Sequence, residues 1–121
     1  MTFLNFTNHP SSAWSQPQIE AARALGDIVD LDFPNVDADS SEAVISDMAD
    51  LWVEKIISQY SLNDLIVHIQ GEQTLCFAII SRLLDLGVRC IASCSRRDVE
   101  LMPDGSRSVK FHFSQFRDYI R

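Results

Sequence analysis

The 121 residues are 46% hydrophobic with four Gly and four Pro, enough for one domain with its own core and unlike a disordered or collagen-like chain. Ten Lys and Arg against seventeen Asp and Glu give a formal charge of −7. That excludes a broad basic face for duplex DNA or anionic membrane, and leaves room for a small anion held by a few local groups.

Phe3 to Phe6 is a short apolar stretch that predicts a strand running into a polar loop, Thr7-Asn8-His9-Pro10-Ser11-Ser12. Ser15-Gln16-Pro17-Gln18 has the cap, early proline and capping-box spacing of a helix start. Ile19, Ala22 and Leu25 then share a face before Gly26. Ile28 to Asp32 alternates apolar and acidic residues, as a strand near a sheet edge does. Asp39 and Glu42 have capping-box spacing before a second helix carrying Ile45, Met48, Trp52 and Ile56.

Leu65-Ile66-Val67-His68-Ile69 is nearly continuous apolar sequence, the pattern of a central parallel strand. The turn Gln70-Gly71-Glu72-Gln73-Thr74 leads into an apolar helix from about 74 to 86, ended by Gly87. Val88 to Ala92 predicts a fourth strand and Ser93 to Arg97 a loop. Val99–Met102 and Ser108–Phe113 flank Pro103-Asp104-Gly105 as a hairpin. No apolar run reaches the ~20 residues of a membrane span and Met1 to Phe6 show no secretory pattern, so the expectation is a cytoplasmic protein.

Strands and helices in alternation imply an α/β fold, a Rossmann-like three-layer sandwich of residues 1–121, with a mostly parallel sheet and a C-terminal β-hairpin. The second strand is expected beside the first on one side and the third on the other. Ligands of such sheets bind where the winding reverses, beyond the carboxyl ends of the strands. The loops Asn5–Ser12 and Gln70–Thr74 should lie there, with Ser93–Arg97 beside the second.

The polar groups of those loops suit phosphate and ribose. Gly71 would admit a ligand close to backbone, and Gln73, Thr74 and the free N–H groups of the third helix would cradle a phosphate. Arg96 and Arg97 would hold phosphates by charge-assisted bonds, or serve only as a solvated pair beside Asp98 and Glu100. Asn8, His9 and Ser11 would contact ribose or a scissile phosphate, with Ser12, Gln70 and Ser95 completing the ligand-binding set. His9 and Glu72 are the candidate acid–base residues; the plainer alternatives are a loop histidine bonded to backbone and a helix-capping carboxylate. His68 reads as a satisfied core histidine. No GxGxxG or Walker motif is present, and Cys76, Cys90 and Cys94 lack metal-ligand or CxxC spacing. No metal and no cofactor are expected.

Asn5-Phe6-Thr7-Asn8-His9-Pro10, the turn Gln70-Gly71-Glu72 and the final Phe116-Arg117-Asp118-Tyr119 resemble small CRISPR-associated proteins of type III systems. These are stand-alone, Rossmann-like relatives of CARF domains that include small ring nucleases. The resemblance implies a homodimer binding cyclic oligoadenylate, most often the tetra-adenylate. It also implies metal-independent cleavage, in which the ligand's own 2′-hydroxyl attacks the adjacent phosphate. Two alternatives stay open: a non-catalytic protein that sequesters the ring or regulates a partner, and an unrelated Rossmann-like nucleoside-processing enzyme with Glu72 as nucleophile. Phe111, Phe113, Phe116 and Tyr119 supply the aromatic surface expected of the dimer.

Overall fold

The computed structural model describes all residues from Met1 to Arg121. Strands β1 (Thr2–Phe6), β2 (Asp27–Leu31), β3 (Leu65–Ile69), β4 (Arg89–Leu101) and β5 (Arg107–Asp118) form one sheet in the order β2-β1-β3-β4-β5. The first four strands run parallel, and β5 closes the edge antiparallel to β4. The helices are α1 (Gln16–Leu25), α2 (Glu42–Gln59) and α3 (Gln73–Asp85). This is the α/β architecture expected from the alternation of elements, with a parallel sheet between helices and a C-terminal hairpin. No helix is long and apolar enough to cross a membrane.

Residue parity divides the core. Leu4, Phe6, Val67 and Ile69 point to the side covered by α2 and α3, where they pack with Val53, Ile56, Leu75, Ile79 and Leu83. Phe3, Ile66 and Ile91 point the other way, against Ala22 of α1 and Trp14. Two helices thus cover one face of the sheet and one helix the other. On that face α1 packs mainly against β1, β2 and β5.

Three local expectations change. Ser93–Arg97 is not a loop: β4 runs unbroken from Arg89 to Leu101 and pairs with β5 along most of its length. The cap of α2 is Ser41, whose hydroxyl accepts from Val44 N, so Glu42 is already the first helical residue and the Asp39–Glu42 spacing is coincidental. Ser15 occupies the cap position of α1 without a side-chain bond, and no capping box forms with Gln18.

The register of β4 with β5 shifts by one residue between Cys94 and Ser95, leaving Ser114 as the extra residue of a bulge. Phe113 and Phe116 are three apart, so regular alternation would put them on opposite faces. The bulge brings both to the α1 side, where their ring centroids are 4.9 Å apart and Phe116 reaches Phe3 at 5.2 Å. The tail beyond β5 is held by Tyr119, which donates from its hydroxyl to the Ile69 carbonyl at 2.9 Å and from its amide to the Cys90 carbonyl.

Candidate functional site

Asp30, Asn5 and His68 stand side by side in register on β2, β1 and β3, one polar row across the face that α1 covers. Asn5 is its centre. Its Nδ2 donates to Asp30 Oδ1 at 2.8 Å and to the His9 carbonyl at 2.9 Å. Both partners are pure acceptors, so the amide can be oriented only one way. Asn5 Oδ1 then accepts from the Thr7 hydroxyl at 2.9 Å and faces His68 Nδ1 at 2.9 Å. Asp30 also receives the Ser11 amide and hydroxyl, at 3.2 and 2.9 Å. Partial burial raises its carboxyl pKa, but these hydrogen bonds outweigh that and hold it below the usual value. The His9 carbonyl gathers further bonds from Thr7 Oγ1 and Trp14 Nε1, which locks the loop after β1.

A cleft of about 710 Å³ opens beyond this row, between the start of α1 and the strands β3, β4 and β5. His68 and Gln70 contribute polar groups from the end of β3, and Ser93 and Ser95 from within β4; Trp14, Phe111 and Phe113 contribute aromatic walls. His9, Ser15 and Gln18 line it from the α1 side. Gln70 and Ser93 are tied together, with the Ser93 hydroxyl donating to Gln70 Oε1 at 2.8 Å. The cleft lies at the reversal of winding between β1 and β3, where open α/β sheets bind their ligands.

Of the residues singled out in the sequence, His9, Gln70 and Ser95 line this cleft. The others do not converge on it. Asn8 is exposed on the loop after β1, while Ser11 and Ser12 border a separate hollow with Arg23 and Asp27. Gly71 and Gln73 lie along an apolar groove of about 590 Å³ between α3 and the tail. Glu72 and Thr74 face a third hollow, between α3 and the start of α2.

The phosphate cradle expected at α3 is already filled. Glu72 caps the helix: its carboxylate accepts from Leu75 N at 2.8 Å and from the Thr74 hydroxyl at 2.7 Å. The Leu75 amide and then Thr74 lower its pKa, so an anion occupies the site where a phosphate would bind. Gly71 serves packing: a Cβ there would lie 2.3 Å from the ring of buried Phe33. Arg96 and Arg97 cannot act as one clamp, because neighbours in a strand point to opposite faces. Arg97 stands across from Phe111 on the cleft side, and Arg96 across from His112 on the other.

The sequence reading missed Trp14, Ser15, Gln18, His68, Ser93, Phe111 and Phe113 as cleft residues. Parity within strands is the signal that finds several of them: His68 with Gln70 at the end of β3, and Ser93 with Ser95 within the adjacent β4, alternate onto one face. His68 is buried as expected, at 1% exposure, but it is not satisfied: Nε2 has no hydrogen-bond partner. Burial, aided by the nearby charge of His9, pushes its pKa down to about 4, so the ring is neutral at pH 7.

No curated protein and no solved structure matches the chain. Residues 1–117 match the family described as "Uncharacterized protein MJ1673 family", and the chain belongs to that family.

Proposed function

We propose that the protein binds a cyclic oligoadenylate in the cleft above β3 and β4, as a nucleotide-responsive component of type III CRISPR defence. The observation that carries this reading is the cleft itself. It joins hydroxyl, amide and imidazole groups to a wall of three aromatic side chains at the winding reversal of a parallel sheet. Aromatic faces stack on bases, and short polar side chains suit ribose and phosphate oxygens. Arg97, on the same face of β4, supplies a positive group for an anionic ring in an otherwise acidic protein.

The loop Asn5–Pro10 that carries the family resemblance supports the reading in an indirect way. Asn5, Thr7 and the His9 carbonyl build the frame beside the cleft instead of lining it. The apolar hairpin face formed by Val99, Leu101, Val109 and Phe111 continues from the cleft wall and is exposed, with Phe111 at 68%. A second copy seated there would close the cleft around a two-fold ligand.

Ring opening is the reaction that fits this ligand. The 2′-hydroxyl gives up its proton to water as its oxygen attacks the adjacent phosphorus, the bond from phosphorus to the 5′-oxygen breaks, that oxygen takes a proton, and a 2′,3′-cyclic phosphate and a 5′-hydroxyl end result. His9 is the candidate catalytic side chain from the sequence that lines the cleft, and in this reading it donates that proton. Incubation with labelled cyclic tetra-adenylate, with and without excess EDTA, tests the proposal. Linear product formed in EDTA supports binding and cleavage; a retained, tightly bound ring makes the protein a sequestering binder; no binding removes the reading.

A further inference from the structure

His68 is held by a chain of fixed donors and acceptors. Because Asn5 Nδ2 is committed to Asp30 and the His9 carbonyl, Asn5 can offer His68 only its carbonyl oxygen. The neutral imidazole must therefore carry its hydrogen on Nδ1 and donate it to Asn5. Nε2 is then a bare lone pair on the opposite edge of the ring. It is fully buried, and no group of the protein satisfies it. Phe3, Trp14 and Phe116 pack around the ring at centroid distances of 5.6, 5.4 and 5.3 Å, so it cannot turn to find another partner. Buried acceptors of this kind are rare, and this one belongs to a residue that lines the cleft.

We infer that His68 Nε2 accepts a hydrogen bond from an N–H or O–H group of the bound nucleoside, with Asn5 and Asp30 as positioning residues that fix its tautomer. The inference rests on the cleft being the cyclic-oligoadenylate site. Adenosine offers two donors, the 6-amino group and the 2′-hydroxyl. If the 6-amino group is read, His68 selects adenine over hypoxanthine; if the 2′-hydroxyl is read, His68 orients the attacking oxygen. Because Nε2 is fully buried in the free protein, its neighbours must shift for either group to reach it.

The test is the binding of cyclic tetra-adenylate, its inosine analogue and its 2′-O-methyl analogue to the parent and to His68→Phe. Phenylalanine keeps the aromatic packing and removes the acceptor. The parent should lose about 10-fold in affinity for whichever analogue lacks the donor, as expected for a buried hydrogen bond left unmade. His68→Phe should bind cyclic tetra-adenylate about 10-fold more weakly than the parent and should not distinguish that analogue from it. If the variant binds and discriminates like the parent, the inference is wrong while the function proposed above stands. If the parent binds none of the rings, both fall. Nitrogen-15 spectra of the parent give a second readout that does not depend on how the variant folds. The free protein should show Nδ1 protonated and Nε2 bare, and cyclic tetra-adenylate should shift Nε2. A proton on Nε2 in the free protein, or an Nε2 signal unmoved by a ring that binds, overturns the inference. Asn5→Ala should mix the two tautomers in the same spectra, an effect that loss of packing alone would not produce.

Discussion

Acidification should destabilise the fold through His68 before most carboxylates protonate. The unfolded imidazole titrates near 6.5, and in the folded protein burial pushes the value down to about 4. The unfolded chain therefore binds the extra proton throughout the window between those values, and stability falls as pH is lowered from about 7. At 1.36 kcal/mol for each pH unit of difference, the full effect is about 3 kcal/mol, of which about 2 kcal/mol is lost by pH 5. For a domain that is stable by ~5–15 kcal/mol, this is a large fraction. The assay is urea unfolding of the parent and of His68→Phe at several pH values from 7.5 to 5. The difference between the two proteins isolates the contribution of the imidazole and its surroundings. The parent should lose about 2 kcal/mol more than the variant over this range. Equal pH slopes would show that the imidazole is not held neutral, and would refute the burial argument.

Three further outcomes follow from the packing. Gly71→Ala should cost about 1–3 kcal/mol, because its Cβ meets the Phe33 ring at 2.3 Å; combining it with Phe33→Leu should cost less than the two changes added, by thermal unfolding. Tyr119→Phe should lower stability by about 1 kcal/mol through loss of its bond to the Ile69 carbonyl, and the absorbance of the half-buried phenol in the parent should titrate near 12. Arg97→Ala should weaken cyclic tetra-adenylate binding about 10-fold, whereas Arg96→Ala on the opposite face should leave it unchanged; equal effects would place the ligand elsewhere.

The fold was legible where burial imposes a period. The continuous apolar run of β3, the alternation in edge strand β2 and the apolar stripes of α2 and α3 each identify an element and a side of the sheet. Ser93–Arg97 was misread because the hairpin projects past the core there. Ser95, Arg96 and Arg97 are exposed there, and their polar sequence resembles a loop. The candidate site was less legible because its chemistry crosses the sheet. His68 looks like a core residue among apolar neighbours, and the partners that fix its tautomer are Asn5, 63 residues away on β1, and Asp30 on β2. Glu72 and Gly71 sit at a turn that suits phosphate, but the carboxylate folds back on its own helix and the glycine makes room for an aromatic ring.

The bulge at Ser114 has a consequence for how the hairpin assembles. From Leu101↔Arg107 at the turn to Ser95↔Phe113, the strands keep one register; from Cys94↔Gln115 to Ile91↔Asp118 they keep another, offset by one residue. The turn dictates the first alignment and the docking of β4 on β3 dictates the second. Zipping outward from the turn alone would carry the first alignment into the sheet and send Phe116 to the wrong side of it. Local closure and long-range docking therefore issue conflicting instructions, and a single serine absorbs the mismatch. Removing Ser114 would force one end to yield: either the turn slips, or the ring packed against Phe3 and His68 is lost.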